Sequence, residues 1–378
     1  MKVLIAADKF KGSLAAAEVA AAIRTGLLSI DPSISTEVVL MADGGEGTCE
    51  LLTLFSNGEM RSTTVKDPLF RDIDASYGIS GDGKTAFVEM AKASGLQLLS
   101  AGERNPTITT TYGTGQLIAA ALSHHVKQIV LGIGGSATND GGMGMAQALG
   151  FRFLSESNEP LKGTGENLIR VTEIDDSHKL RGLDAVRFTV IFDVNNPLYG
   201  ERGAARIFAR QKGADETQIA SLDKGLRHFA EVVKKKYATD INFPGAGAAG
   251  GLGGGAKIFL NAVFSPGIDF VLSYVDLGSR MKDADLVITG EGKIDVQTLL
   301  GKVVHGVAAM AKANKKTCVA VAGRSELSGA QTAPLGLDQV ITLMDESTTE
   351  ADAIAHASML LAKRIKEQLS ARIKSMQN

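Results

Sequence analysis

The residues best suited to chemistry lie in glycine-rich turns. Residues 134–144, GGSATNDGGMG, contain five glycines, which leave backbone N–H groups open to close approach by phosphate oxygens. Ser136, Thr138 and Asn139 add neutral polar groups. Asp140 offers a hard oxygen ligand for Mg²⁺ or, alternatively, an N-cap in a tight turn from strand to helix. The segment indicates a phosphate-binding turn, with a helix after it whose positive end faces an anion.

Four acids follow predicted strand ends: Asp8, Asp43, Asp193 and Glu291. Ligands of open parallel sheets bind beyond the carboxyl ends of the strands, so these side chains are candidates for a shared site. Because clustered carboxylates repel one another, a divalent metal or a cationic substrate group is expected among them. Each acid taken alone is equally well explained as a loop or cap residue.

Basic residues near these turns suit an acidic substrate. Lys9, Lys11 and Arg324 could supply the opposite charge, although ordinary surface residues are the alternative interpretation. The six histidines form no H-x-x-x-H pair, and no G-x-S-x-G is present, so the machinery of a serine hydrolase is missing from the sequence.

Three segments match nucleotide-binding patterns formally. Residues 78–85, GISGDGKT, fit a P-loop, but the flanking alternation predicts a hairpin where a P-loop needs a strand and a helix. Residues 245–250 fit G-x-G-x-x-G, yet Pro244 stands where a strand should end. Residues 132–137 follow a good strand and leave a dinucleotide site open, with Glu156 as a weak candidate for the ribose-binding acid.

The elements that carry these turns predict an α/β fold. Short apolar runs at both ends of the chain predict strands at residues 3–7, 37–41, 286–289, 319–322 and 340–344. The two strands at the front and the three at the back are each too few for a core of their own. Together they predict a five-stranded parallel sheet with helices on both faces. We therefore expect a discontinuous Rossmann-like parallel-sheet domain of residues 1–65 plus 284–378. Residues 66–283 are expected to form an inserted mixed α/β domain.

The inserted part has a mixed pattern. Two alternating runs, 73–79 and 85–90, predict an antiparallel hairpin. Further elements are expected as helix, strand, helix and strand, in that order: residues 115–124, 128–131, 143–149 and 188–192.

Composition limits the possible partners. The 378 residues include 40 basic and 42 acidic side chains, a balance that attracts neither nucleic acid nor an anionic membrane. Cys49 and Cys318 form no C-x-x-C, which fits a reducing compartment. With no long apolar segment and no secretory signal, we expect a cytoplasmic protein. The oligomeric state stays open.

Seven segments together resemble the bacterial glycerate kinase family, of the glycerate 2-kinase type. They are AADKFKGSL at 6–14, MADGGEGT at 41–48, GIGGSATNDGGMGMAQALG at 132–150, FDVNNPLYG at 192–200, ARIFARQKGA at 205–214, PGAGAAGGLGGG at 244–255 and VITGEGKID at 287–295. Departures from the family pattern are few. Ala7 and Lys9 stand where Pro and Ser are common, Arg210 where Pro is usual, Lys293 where Arg is usual, and Gly254-Gly255 extends the glycine run.

The resemblance implies an enzyme that phosphorylates D-glycerate with ATP and Mg²⁺ to 2-phosphoglycerate, in a cleft between two α/β domains. A product of 3-phosphoglycerate is an alternative. Two other classes stay open: an NAD-dependent 2-hydroxy-acid dehydrogenase, suggested by residues 132–137, and a non-catalytic small-acid-binding protein.

Residue chemistry and motif position then give a hypothesis for the site. ATP is assigned to Gly134, Gly135, Ser136, Thr138, Asn139 and Lys212. Asp193, with Asp43 or Glu291, is expected to hold Mg²⁺ or to accept the hydroxyl proton.

The acid substrate is assigned to a second group. Lys11 and Arg324 are expected to pair with the glycerate carboxylate, since arginine suits a two-pronged contact. Asp8 and Asn195 are candidates for the substrate hydroxyls, and Asp193, Asp8 and Lys11 are the expected catalytic residues.

Overall fold

Two compact units make up the chain. The computed structural model describes residues 1–345 and 348–377, apart from the side chain of Leu300. One unit, here the split unit, comprises Met1–Asp43 and the chain from Ile268 on. The other, the inserted unit, is Gly44–Gly267. The predicted fold class, a parallel-sheet domain made from both chain ends with a mixed α/β insertion, is confirmed.

The described strands, in chain order, are β1 Lys2–Ala7, β2 Ser35–Val38, β3 Glu59–Lys66, β4 Asp72–Ile79, β5 Thr85–Glu89, β6 Gln128–Gly132, β7 Arg152–Leu154, β8 Glu173–Asp175, β9 Arg187–Phe192, β10 Val263–Pro266, β11 Leu286–Ile294, β12 Thr317–Ser325 and β13 Gln339–Thr342.

The described α-helices are α1 Ala16–Leu28, α2 Thr48–Phe55, α3 Ala91–Ser94, α4 Tyr112–Leu122, α5 Met143–Ala148, α6 Ala204–Phe208, α7 Glu216–Tyr237, α8 Ala248–Phe259, α9 Gly267–Tyr274, α10 Leu277–Lys282, α11 Val303–Ala313, α12 Gly329–Thr332, α13 Glu350–Ala355 and α14 Ala357–Gln377.

The split unit contains a five-stranded parallel sheet in the order β13-β12-β11-β1-β2. Strand β1, which lies between β11 and β2, is buried from Val3 to Ala7, as expected for a strand that is covered on both faces. β2 ends at Val38, but the N–H groups of Val39 and Met41 still donate to β1. The predicted five-stranded sheet is therefore confirmed, with small shifts at strand ends.

Helices α1 and α14 pack together on this sheet. The buried face of α1 includes Val19, Ile23 and Leu27, whose spacing of four residues puts them on one side of the helix. Gly26 permits a close approach, because a Cβ there would lie 2.7 Å from the Cβ of Ile365. These contacts hold the two chain ends in one core.

The inserted unit contains a six-stranded mixed sheet in the order β10-β9-β6-β5-β4-β3. The pairs β10–β9, β9–β6 and β6–β5 are parallel, and β5–β4 and β4–β3 are antiparallel. The hairpin predicted around residues 81–83 is thus confirmed as β4–β5. Aromatic contacts among Phe153, Phe229 and Phe259 fix α7 and α8 in the core of this unit.

The bounds of the units differ from those expected, 65/66 and 283/284. Residues 44–65 belong to the inserted unit, because β3 pairs with β4 along its whole length. Residues 268–283 belong to the split unit, because Ile268 of α9 packs against Gly306 of α11. β3 is polar and largely exposed, so its sequence does not resemble a core strand.

Among the described residues, no helix combines the length and the apolar character that a membrane crossing requires.

Candidate functional site

A cavity of about 410 Å³ lies within the inserted unit, at the carboxyl ends of the parallel strands β6 and β9. This is the edge at which open α/β sheets bind ligands. Six segments of the chain line it, with these residues: Gly44, Gly45, Leu96, Ile133, Gly134, Gly135, Ser136, Phe192, Asp193, Val194, Phe208, Gln211, Lys212, Ala248 and Ala249.

Two glycine turns form adjoining parts of the cavity wall: the first contains Gly44 and Gly45, and the second runs from Gly134 to Ser136. The Cα of Gly45 lies 3.7 Å from the place that a Cβ on Gly134 would occupy. Gly135 has a φ of +74°, which glycine adopts without strain, and its carbonyl accepts a hydrogen bond from the Leu96 N–H. The turns keep open space and backbone groups on the cavity side, as a bound phosphate requires.

Lys212 connects a distant part of the chain to the second glycine turn. It ends a short 3₁₀ turn, Arg210–Lys212, and its side chain is only 2% exposed. The Nζ donates to the Ser136 hydroxyl and to the Thr138 carbonyl, at 2.7 Å each. Neither acceptor carries a charge, so the ammonium is buried against neutral oxygens.

The position of Lys212 changes its acidity. Burial lowers the pKa of Lys212 to about 7, and the negative charge of Asp140 opposes that shift. An ammonium carries three protons, of which two have acceptors among the described residues. The third is available to a ligand in the cavity that Lys212 lines. A ligand phosphate would supply both the missing acceptor and the missing counter-charge.

Thr138 and Asn139, expected at the nucleotide, are fully buried and are not among the residues that line the cavity. The Thr138 carbonyl accepts from Lys212, and a Cβ on Gly250 would overlap both residues. The structure therefore brings Gly134, Gly135, Ser136 and Lys212 together around the cavity and places Thr138 and Asn139 behind it, as support.

Asp140 also has a structural role. Its carboxylate accepts hydrogen bonds from the N–H and hydroxyl of Thr111 and from the N–H groups of Gly142 and Gly144. It is fully buried, which raises its pKa, while these four donors act in the opposite direction. This agrees with the turn-residue interpretation and leaves Asp140 no exposed oxygen for a metal.

Replacing Asp140 by alanine is expected to lower the free energy of unfolding by about 2–4 kcal/mol, because it leaves four buried donors without an acceptor. Urea denaturation measures this. Asp184→Ala is the matched control, since Asp184 is exposed and has one ion pair, to Lys179. Equal denaturation midpoints for the two variants would contradict the structural role.

Asp193 and Asn195 follow the end of β9. Asp193 lines the cavity and is exposed, and its Oδ1 accepts from the Gly267 N–H at 3.3 Å. Asn195 is exposed but does not line the cavity. Of the two, the structure places only Asp193 beside the glycine turns.

In the split unit, Asp8 directly follows β1, and Glu291 lies on the neighbouring strand β11. β1 and β11 are paired up to Ala7 and Gly290, and the Asp8 N–H donates to the Gly290 carbonyl. Glu291 lies inside β11, which runs on to Ile294 beside β12, so the predicted strand end at residue 289 is wrong.

Burial makes both carboxyl groups weaker acids than they are in water. It raises the pKa of Asp8 to about 6, and the nearby charge of Asp43 adds to the shift. It raises the pKa of Glu291 to about 7, against the hydrogen bond from Thr298 and the charge of Lys302. Asp8 also acts on Glu291, so Asp8, Asp43 and Glu291 form one electrostatic group in this unit.

The two expected carboxylate-binding cations differ in their surroundings. Lys11 is exposed, in the turn after β1. Arg324 of β12 makes ion pairs with Glu326 and Glu350, at 3.4 and 3.6 Å. A substrate carboxylate at Arg324 would therefore have to replace these acids.

Sequence reasoning missed several residues of these sites. Gly44, Gly45 and Gln211 line the cavity, and Lys302 acts on Asp8 and Glu291. The glycine pair after a strand was a usable signal for the first two. No sequence signal pointed to Lys302, because a single lysine before a helix does not by itself indicate a binding site.

Two of the formal nucleotide motifs lack the structural context that they require. GISGDGKT lies in the β4–β5 hairpin. Glu156 follows β7, which pairs with β8 in a separate two-stranded sheet and is not next to β6. The ribose-binding acid of a dinucleotide fold would follow a strand beside β6.

Comparison with known sequences gives consistent matches. The profile of the glycerate kinase family matches residues 3–374. A glycerate kinase of Halalkalibacterium halodurans is 44% identical over 359 residues, covering 93% of this chain and 94% of that protein. A glycerate 2-kinase of Escherichia coli K12 is 44% identical over 358 residues, 94% of each chain.

Comparison with solved structures agrees. A crystal structure from Salmonella typhimurium LT2, described as glycerate kinase 2, superposes with a TM-score of 0.89 at 40% identity. The match covers 100% of this chain and 99% of the other.

Proposed function

We propose, since the chain belongs to the glycerate kinase family, that it transfers the terminal phosphoryl group of ATP to D-glycerate and releases 2-phosphoglycerate. The observation that carries the proposal is the cavity of the inserted unit, where two glycine turns, Ser136 and Lys212 surround a space suited to phosphates. The name of the Escherichia coli relative, glycerate 2-kinase, supports the position of transfer.

The nucleotide's phosphates are assigned to the second glycine turn. The backbone at Gly134 and Gly135 offers N–H groups without side chains in the way, and Ser136 adds a hydroxyl. Lys212 neutralises charge as it builds up on the transferred group and the leaving group. Phosphoryl transfer needs little covalent help from the protein, so charge and position supply most of the catalysis.

Asp193 is assigned to the reacting hydroxyl. It lines the same cavity and is exposed, so a substrate can reach its carboxylate. As a base it would accept the proton of the 2-hydroxyl of glycerate, and the resulting oxygen would attack the terminal phosphorus atom. Asn195 remains a candidate for a second substrate hydroxyl.

The acid substrate draws on the split unit as well. Lys11 is exposed and has the charge that a carboxylate needs. Arg324 has the geometry for a two-pronged contact once its acidic partners are exchanged. Asp8, whose pKa of about 6 lets it be neutral or charged near neutral pH, is assigned to a glycerate hydroxyl.

The carboxylates fit Mg²⁺ by their chemistry. Asp193, with Asp43 or Glu291, offers the hard oxygen ligands that this ion prefers. The described residues contain no cluster of three or more histidine, cysteine or acidic side chains arranged for a metal. Magnesium in kinases needs none, since one or two carboxylates and the substrate phosphates hold it. When bound, it would offset the negative charge of the phosphates.

One experiment tests the proposal. The pure protein is incubated with D-glycerate, ATP and Mg²⁺, and the product is identified by ³¹P NMR. We expect ADP and 2-phosphoglycerate in equal amounts. A 3-phosphoglycerate signal would move the transfer to the other hydroxyl. Reduction of NAD by glycerate without ATP would instead indicate a dehydrogenase, and binding of glycerate without ADP release a non-catalytic protein.

A further inference from the structure

A buried carboxylate, Glu89, stands at the carboxyl end of β5, behind the two glycine turns of the cavity. Its side chain is 4% exposed. A Cβ on Gly132, which begins one turn, would lie 3.6 Å from the Glu89 Cγ and 3.5 Å from the carbonyl oxygen of Gly44, in the other turn. Glu89 therefore lies where the two turns meet.

The Glu89 carboxylate holds the Gly44–Thr48 turn through backbone N–H groups at the end of that turn. Its Oε1 accepts a hydrogen bond from the Cys49 N–H at 2.8 Å, and the nearby Gly47 N–H acts on the carboxylate to lower its pKa. These N–H groups lie at the start of α2, where a helix leaves donors without partners inside itself. Since Gly44 and Gly45 immediately precede them, the carboxylate fixes the position of that wall of the cavity.

The contacts of Glu89 are poor for stability alone. Its Oε2 is buried and has no hydrogen-bond partner among the described residues. Glu50 of α2 acts on it with a like charge, and Lys92, which acts on it with the opposite charge, is bound to Glu50 at 2.7 Å. An incompletely satisfied buried acid is costly to the fold, and such groups are enriched at functional sites.

We propose that Glu89 is a positioning residue of the phosphoryl-transfer site, which holds the Gly44–Thr48 turn in register with the 134–136 turn for the nucleotide. The inference rests on the proposed function. Glu89 does not line the cavity and acts only through the turn it holds. A displacement of a positioning group by about 1 Å can cost roughly 100-fold in rate.

The experiment compares Glu89→Ala, Glu89→Gln and Glu50→Ala in steady-state assays at least 15 °C below each melting temperature. Glu89→Ala is expected to raise the KM for ATP about 10-fold and to lower kcat about 10-fold, with the KM for D-glycerate within two-fold of wild type. Glu89→Gln keeps an oxygen that accepts from the Cys49 N–H, so its kcat and its KM for ATP should both lie within about three-fold of wild type. Glu50→Ala, beside it in the fold but without a bond to the turn, should leave them unchanged.

A thermal readout separates positioning from plain structural support. Burial raises the pKa of Glu89 to about 6, so the folded chain binds more protons than the unfolded chain between about pH 4.5 and 6, and stability falls as pH rises through that window. Glu89→Gln should therefore melt higher than wild type at pH 8, with a smaller difference at pH 5.

Two results would overturn the inference. One is a Glu89→Ala variant with wild-type kcat and KM for ATP. The other is a Glu89→Gln variant that melts lower than wild type at pH 8, because Glu89 would then be a net stabiliser of the fold. Wild-type protein without kinase activity would instead contradict the proposed function, so the two failures are distinguishable.

Discussion

Asp193→Asn is expected to lower kcat by about 10²–10⁴-fold, because the amide keeps the size of the side chain but can neither accept the hydroxyl proton nor ligate Mg²⁺ well. Asp193 is exposed, so the melting temperature should stay within a few degrees of wild type. Initial rates of ADP release at saturating ATP and D-glycerate measure the effect.

The control for this prediction is an acid near the other end of the same strand. Asp184 lies just before β9, at the strand end opposite to Asp193, and is exposed in an ion pair with Lys179. Asp184→Asn should keep kcat within two-fold of wild type. If Asp193→Asn also kept it, the carboxylate would have no part in the chemical step. A loss that added Mg²⁺ recovers would favour the metal-binding role over the role of base.

The parallel sheet of the split unit could be predicted because its strands are covered on both faces. Such strands appear in the sequence as short apolar runs, as in β1, where Val3 to Ala7 are buried. β3 could not be found in this way, since six of its eight residues are polar or charged and most are exposed. Only its pairing with β4 shows it to be a strand, and that pairing is a long-range property.

Helix α7 is a different case, because its signals were present in the sequence. Asp215 and Gln218 form a capping box, and the buried residues Ile219, Leu222 and Leu226 follow a helical spacing. These signals are local, so α7 is predictable from the sequence without any long-range information.

For the site, the sequence indicated which turn carries chemistry but not which of its side chains reach the cavity. Ser136 lines it, whereas Thr138 and Asn139 are buried behind it. The direction of each side chain depends on how the backbone turns at Gly135 and packs on Gly250, which composition does not reveal. Similarly, 76 residues separate Lys212 from Ser136, so their contact follows from the fold alone.

Lys212→Met is expected to lower kcat/KM for ATP by about 10²–10³-fold, since it removes the charge that the nucleotide's phosphates would meet. The wild-type value should fall as pH rises above about 7, because burial lowers the pKa of Lys212 to about 7 and only the protonated amine carries that charge. The variant should lose this limb of the pH profile. Lys224→Met, at an exposed position of α7, is the control and should keep both rate and profile.

The same substitution should stabilise the protein. The unfolded chain keeps the pKa of this lysine near 10.5, so between pH 7 and 10.5 it binds more protons than the folded chain, and the stability of wild type rises with pH. Below pH 7 the ammonium is charged in both states, and the cost of burying it is fully present. After the loss of two hydrogen bonds, Lys212→Met should still gain about 1–3 kcal/mol at pH 6, and the gain should shrink towards pH 10. Thermal melts at these pH values measure the difference, and a variant that melts below wild type at pH 6 would mean that Lys212 stabilises the fold and is not held there for a ligand.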